Sequence, residues 1–289
     1  MILEETYTLA NGVAIPKLGL GTWFISNDDA ASAVQQAVEL GYRHIDTAQA
    51  YGNEAGVGEG VRNCGVEREQ LFVTTKLDAG IKTYNEAVAS IDGSLQTLGL
   101  DYIDLMIIHS PQPWGEFGQS DRHFAGNLEA WRALEEAYNA GKLRAIGLSN
   151  FLIADIDNML QGSKVKPMVN QILAHVSNTP SAVIKHCQDN GIIVEAYSPI
   201  GHGELLKNPS LIDMAKKYNV SVPQLCIRYT LQLGLVSLPK TSNPVHMKSN
   251  ADLDFEISAA DMATLQQMKT IENYGDASVF PVYGVKQYD

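Results

Sequence analysis

Tyr102-Ile103-Asp104-Leu105-Met106-Ile107-Ile108-His109 is an extended apolar segment that stops on a polar residue, and its repetition along the chain decides the fold. Toward the N-terminus the same kind of segment recurs at Leu71-Phe72-Val73-Thr74-Thr75-Lys76, at His44-Ile45-Asp46-Thr47 and at Leu18-Gly19-Leu20-Gly21. Toward the C-terminus it recurs at Arg144-Ala145-Ile146-Gly147-Leu148, Met168-Val169-Asn170-Gln171, Ile192-Ile193-Val194-Glu195-Ala196-Tyr197 and Leu235-Val236-Ser237-Leu238. Helical stretches separate the segments. After Ser26, for instance, Ala30, Ala33, Val34, Ala37 and Val38 recur at helical spacing, with Asn27 and Asp28 placed to cap the start and Gly41 to end it. About eight strand–helix units of this kind predict an α/β protein, a (β/α)8 TIM barrel. A Rossmann sheet is the main rival, but no Gly-x-Gly-x-x-Gly stands between a strand and a helix, where a pyrophosphate would need it.

Ahead of the first barrel strand, Thr6–Leu9 and Val13–Ile15 flank Asn11-Gly12, a pair suited to a tight turn, so a hairpin should open the chain. The stretches from Ser110 to Asn127 and from Pro199 to Pro209 exceed ordinary loop lengths and should shape a pocket. No linker-like composition divides the sequence, so residues 1–289 are expected to form one domain.

Composition narrows the partners. The chain is 45% hydrophobic and 19% charged, which suits a large core. A net charge of −12 and the lack of a dense Lys/Arg run disfavour nucleic acid and anionic membranes. Met1–Thr6 carries acids where a secretory signal needs basic residues, and no apolar run of roughly 18 residues occurs, so the cytosol is the expected location. Cys64, Cys187 and Cys226 are widely spaced and read as buried thiols rather than a disulfide framework or a zinc site. No His-Glu-x-x-His and no carboxylates at ligand spacing with a histidine occur, so no metal is expected.

Polar residues sit where several apolar strands end: Asp46, Lys76, His109, Ser149-Asn150, Gln171, Tyr197-Ser198 and Lys240. In a barrel these ends share one face, the usual seat of catalysis. Taken singly, each could be a solvated strand end or a hydrogen-bonded core residue. Asp46 and Lys76 would lie on neighbouring strands, close enough to pair, with Tyr51 just above them. A buried ammonium there should favour the phenolate and lower the tyrosine pKa. A neutral His109 imidazole could donate to a substrate oxygen as charge develops.

These residues fall within a longer pattern. Gly41-Tyr42-Arg43-His44-Ile45-Asp46-Thr47-Ala48, followed by Tyr51, Asn53-Glu54 and Val57-Gly58, resembles the first signature of the aldo-keto reductase superfamily. The resemblance continues through Val73–Leu77, Ile107–His109, Gly141–Phe151, Val169–Gln171, Ala196–Pro199 and Leu238–Thr241, and so spans nearly the whole chain. It implies a barrel plugged at its base by a hairpin, and a catalytic tetrad of Asp46, Tyr51, Lys76 and His109. It also implies NADPH or NADP+ as cofactor, held by Gly21, Thr22, Asp46, Ser149, Asn150, Gln171, Tyr197, Ser198, Lys240, Thr241, His246 and Asn250.

Within that set Ser149, Asn150 and Gln171 would hold the nicotinamide carboxamide and Tyr197 would stack on the ring. Where the family commonly carries an arginine that clamps the 2′-phosphate this chain has His246, and where a glutamate is common it has Ser249, so NADH is admitted beside NADPH. Trp23, Trp114 and Phe117 would line the substrate pocket, completed by the tail after Asn273. That tail is short, as in compact bacterial members such as diketogluconate reductases. The expected enzyme is a monomer that reduces small aldehydes and ketones to alcohols, with Tyr51 as general acid. Two rivals are a cofactor-binding, redox-sensing barrel without significant turnover, against which the intact tetrad argues, and a Schiff-base isomerase or aldolase using Lys76, which would need that lysine freed from its carboxylate.

Overall fold

The computed structural model describes residues 1–284. Strands β1 (Thr6–Thr8) and β2 (Ala14–Pro16) pair antiparallel with Tyr7 opposite Ile15. The turn between them places Gly12 at φ +87°, a conformation that glycine adopts without steric cost. Asn11 at the same tip donates to the Arg144 carbonyl at 2.8 Å, pinning the hairpin to the barrel wall. Leu9 and Ile15 pack with Phe72, Leu105, Ile107, Val169 and Val236, so the hairpin stoppers one end of the barrel core.

Eight parallel strands follow: β3 (Leu20–Gly21), β4 (His44–Asp46), β5 (Phe72–Leu77), β6 (Ile103–Ile108), β7 (Leu143–Ser149), β8 (Val169–Leu173), β9 (Ile193–Tyr197) and β10 (Val236–Leu238). Each pairs with the next in chain order. The seam between β3 and β10 is closed by bridges from Leu18 to Ser237 and from Gly21 to Lys240. Its backbone hydrogen bonds run from Gly19 N to Ser237 O and from Ser237 N to Lys17 O. A side chain at Gly19 would lie 2.7 Å from Leu238 Cδ2 and 2.9 Å from His44 Cγ, so the absence of a Cβ there lets the seam close.

Helices α1 (Asn27–Glu39), α2 (Glu54–Arg62), α3 (Tyr84–Leu98), α4 (Phe124–Asn139), α5 (Ile153–Gly162) and α6 (Ser181–Asp189) each follow a barrel strand. Two helices follow β9, α7 (Pro209–Lys217) and α8 (Val222–Gln232). Three come after β10: α9 (Pro244–Ala251), α10 (Ala259–Gln266) and the short α11 (Pro281–Gly284). The apolar stripe of α1 falls as its spacing predicts, with Ala30, Ala33, Val34, Ala37 and Val38 all buried. Its cap is one residue earlier than expected: Ser26 Oγ, not Asn27 or Asp28, accepts from Asp29 N. The segment after β6 is shorter than its sequence suggests, because α4 already begins at Phe124.

The strands are buried on both faces, and a large core that includes Tyr42, Trp131, Phe151 and Met247 fills the space between sheet and helices. Among the described residues no helix is long and apolar enough to cross a membrane.

Candidate active site

All eight barrel strands run the same way, so their C-terminal ends share one rim, and a cavity of about 860 Å³ opens there. Its size falls within the range of small-molecule and cofactor sites. Asp46 ends β4, and Tyr51 follows it through a single 3-10 turn, Gln49–Tyr51, closed by Gly52. Lys76 lies near the end of β5, one strand over, and its Nζ donates to Asp46 Oδ2 at 2.6 Å and to the Thr47 carbonyl at 2.8 Å. That ammonium sits 4.9 Å from the Tyr51 ring centroid. His109 follows β6, with its ring 5.7 Å from that of Tyr51. The four residues expected to work together are therefore brought together.

The electrostatics depart from the expectation on one point. The Tyr51 phenol is held well above its ordinary pKa rather than lowered, first by burial and then by the Asp46 charge. The reason is geometric. Two of the three Lys76 donors are already engaged, and the ammonium is neutralised by the carboxylate it touches. At neutral pH the phenol is consequently loaded with its proton. The third Lys76 N–H remains for a phenolate once that proton leaves.

Burial, with the Lys76 charge behind it, holds His109 well below the usual histidine range, so its imidazole is neutral. Its Nδ1 is buried with no hydrogen-bond partner among the described residues. A buried bare nitrogen is better tolerated than an orphaned N–H, which places the hydrogen on Nε2.

Across the rim, Asn150 Nδ2 donates to the His109 carbonyl at 3.0 Å, and its Oδ1 accepts from the Tyr197 hydroxyl at 2.8 Å. Gln171 Nε2 donates to Asp46 Oδ1 at 2.8 Å and to Glu195 Oε2 at 2.9 Å. Gly21, Ser149, Asn150, Gln171, Tyr197, Ser198, Lys240, Thr241, His246 and Asn250 line the cavity together with Asp46, Tyr51 and His109. Thr22 does not: it is fully buried and its hydroxyl donates to the Asp46 carbonyl, so it braces the turn behind the site. Lys76 likewise lies beneath the cavity wall.

The cavity lining takes in Trp114, which follows β6, and Lys240, His246 and Asn250, which follow β10, four strands further round the rim. Helix α9, which carries the last two, is fixed to the body by the Tyr42 hydroxyl donating to the Met247 carbonyl at 2.8 Å. Lys240 makes no ion pair among the described residues.

Trp23 and Trp114 line the cavity, whereas Phe117 is buried behind Trp114, their rings 5.8 Å apart, and braces it. The tail supplies Phe280, Pro281, Val282 and Tyr283. Phe280 meets Trp23 edge-on at 4.9 Å, and the Tyr283 hydroxyl lies 2.9 Å from Ser198 Oγ and 2.7 Å from His202 Nε2. Sequence reading passed over His202, Phe24, Tyr283 and Glu195. The first sits in the loop flagged for its length, and the last is a lone acid inside an apolar strand, a signal that was available.

A family model described as the aldo/keto reductase family matches residues 17–270. The chain belongs to the aldo-keto reductase family. It is 42% identical to the uncharacterized oxidoreductase YtbE of Bacillus subtilis over 90% of this chain and 91% of that one. It is 40% identical to the glyoxal reductase of the same organism over 94% and 96% respectively. Among solved structures, the aldo-keto reductase of Bombyx mori in complex with NADP superposes with a TM-score of 0.84 at 35% identity, covering 97% of this chain and 99% of that one.

Proposed function

We propose that this aldo-keto reductase reduces small aldehydes and ketones with NADPH, Tyr51 giving the proton. The wall of the cavity fits a dinucleotide. Gln171 has spent both amide hydrogens inside the protein, so its carbonyl oxygen is the group left for a ligand, and Lys240, also on the cavity wall, has no carboxylate partner among the described residues. Ser149, Asn150 and Gln171 would meet the carboxamide, Tyr197 the nicotinamide face, and Lys240, Thr241, His246 and Asn250 the adenosine phosphate end. When bound there, the cofactor supplies hydride to the carbonyl carbon.

The remaining chemistry belongs to the chain. Tyr51 OH and His109 Nε2–H converge on the substrate oxygen, orienting it and stabilising the charge that builds there. As the oxygen becomes an alkoxide, the Tyr51 proton passes to it. The phenolate left behind is met by the Lys76 ammonium, whose position Asp46 fixes. A phenol held above its usual pKa stays protonated until this moment, so it is a competent donor across neutral pH. Trp23, Trp114, Phe280 and Tyr283 exclude water from the reacting oxygen and favour apolar groups beside the carbonyl. His246 in the phosphate region offers a weaker anion partner than an arginine fork, which supports use of NADH beside NADPH.

The observation that carries the reading is the buried Asp46–Lys76 pair directly beneath Tyr51, opposite a neutral His109. Tyr51→Phe should lower turnover of a generic aldehyde by about 10²–10⁴-fold while cofactor quenching of tryptophan fluorescence persists. Retained turnover in that variant would refute the assignment.

A further inference from the structure

Glu195 lies on β9, fully buried inside the barrel, beside Gln171 in register on β8. Its Oε2 accepts one Gln171 amide hydrogen at 2.9 Å while Asp46 Oδ1 takes the other at 2.8 Å. An amide has two hydrogens and one oxygen, and its two ends are nearly alike in shape, so in isolation it could turn either end to a ligand. Here the inner side of Gln171 meets two acceptors from two strands, Asp46 on β4 and Glu195 on β9. A turned amide would press its oxygen against the Asp46 carboxylate and give up both of these hydrogen bonds.

Asp46 alone would leave one N–H free to reach the cavity. Glu195 removes that freedom. The groups around Glu195 are Asp46 and His44 on β4, with His44 Nε2 at 3.7 Å from Oε1, and Lys76 on β5. The single ammonium is committed to Asp46, and burial with the Asp46 charge pushes the Glu195 carboxyl up to about 8. Glu195 is thus a neutral acid at neutral pH, able to accept from an amide without adding a second buried anion.

We propose that Glu195 is a positioning residue that locks Gln171 with its nitrogen inward and its oxygen toward the cavity, so that the chain selects a nicotinamide ring bearing a primary carboxamide. The proposal rests on the reading above in which Gln171 meets that carboxamide. A fixed acceptor at this point recognises a donor, and the carboxamide NH2 is the donor a nicotinamide offers. A ring that carries a methyl ketone instead presents no hydrogen to it.

The test compares dissociation constants of reduced NADP and of its reduced 3-acetylpyridine analogue, read by fluorescence quenching. The wild-type protein should prefer NADPH by about tenfold or more, the value of one well-placed hydrogen bond to a fixed partner. Glu195→Leu should bring the preference to within about threefold, as should Gln171→Leu, whereas Glu195→Gln, which keeps an acceptor, should restore it. If Gln171→Leu collapses the preference and Glu195→Leu leaves it intact, the lock is wrong and the carboxamide contact stands. If the wild-type protein shows no preference, the contact itself is wrong and the lock falls with it. Should Glu195→Leu fail to fold, hydrogen exchange of the Gln171 side-chain amide in the wild-type protein decides: both hydrogens should be protected, and exchange of either at the rate of a free amide overturns the proposal.

Discussion

Replacing Lys76 by methionine tests the architecture beneath the tyrosine. The side chain is 1% exposed and its partner carboxylate 5%, and the ammonium makes two hydrogen bonds of 2.6 and 2.8 Å. Methionine, one atom shorter and uncharged, leaves Asp46 charged, buried and without a cation. Removing one partner of such a pair costs about 3–5 kcal/mol. At roughly 2 °C per kcal/mol for a chain of this size, thermal unfolding followed by circular dichroism should drop by roughly 6–10 °C.

The companion Asp46→Asn in the same molecule removes the orphaned charge while still offering Gln171 an oxygen. The double variant should therefore recover half or more of that loss, although both variants should be at least about 100-fold slower in aldehyde reduction. A single variant that melts within about 2 °C of the wild-type protein, or a double variant no more stable than the single, would refute the claim that this pair is a mutually dependent buried unit.

Three further outcomes follow from the same geometry. His246→Arg should tighten NADPH by roughly tenfold and leave NADH within about twofold, because only the former offers the extra phosphate to a guanidinium fork; equal tightening of both, measured by titration, would exclude a phosphate contact at this position. The raised carboxyl of Glu195 makes a pH-dependent contribution of definite sign. Stability from its neutral form is complete below the unfolded value of 4.5 and is lost as pH rises through about 8. Glu195→Gln should accordingly gain up to about 4 kcal/mol on the wild-type protein between pH 5 and pH 8 in urea unfolding, and parallel pH curves would contradict a neutral Glu195. Trp114→Ala should raise KM for an aromatic aldehyde by roughly tenfold and change NADPH affinity little, since its ring meets that of His109 edge-on at 5.0 Å after β6, four strands round the rim from β10, which Lys240 follows; loss of NADPH binding instead would place the substrate elsewhere.

The barrel was legible because its strands are apolar runs that end on polar residues, a pattern set by burial on both faces and by a shared catalytic rim. Asp46, Lys76 and His109 could be placed from that pattern alone, as strand ends. The shortest strand, Leu20–Gly21, was found only as part of a longer segment, since a two-residue strand leaves no period to read. Side-chain direction was less accessible. Thr22 and Phe117 turn away from the cavity although their neighbours face it, and loops carry no alternation that would say so. The sign of the Tyr51 shift was missed because spacing shows which charges are near, and not that Asp46 has already cancelled the ammonium or that burial outweighs both. His202 and Tyr283 meet through a loop and a tail far apart in sequence, where neither propensity nor periodicity reaches.

The seam between β3 and β10 has a consequence for how the molecule is made. Leu18 and Ser237, which close it, are separated by more than two hundred residues. Contacts so remote cannot reward the chain until Ser237 has left the ribosome, and their formation is correspondingly slow. A nascent chain that already holds Asp46, Tyr51, Lys76 and His109 still lacks Lys240 and the wall that makes a chamber of them. Competence is thereby withheld until the last barrel strand and the segment after it have been made, and the unpaired edge of the first barrel strand is the surface that chaperones or neighbouring chains would meet in the interval.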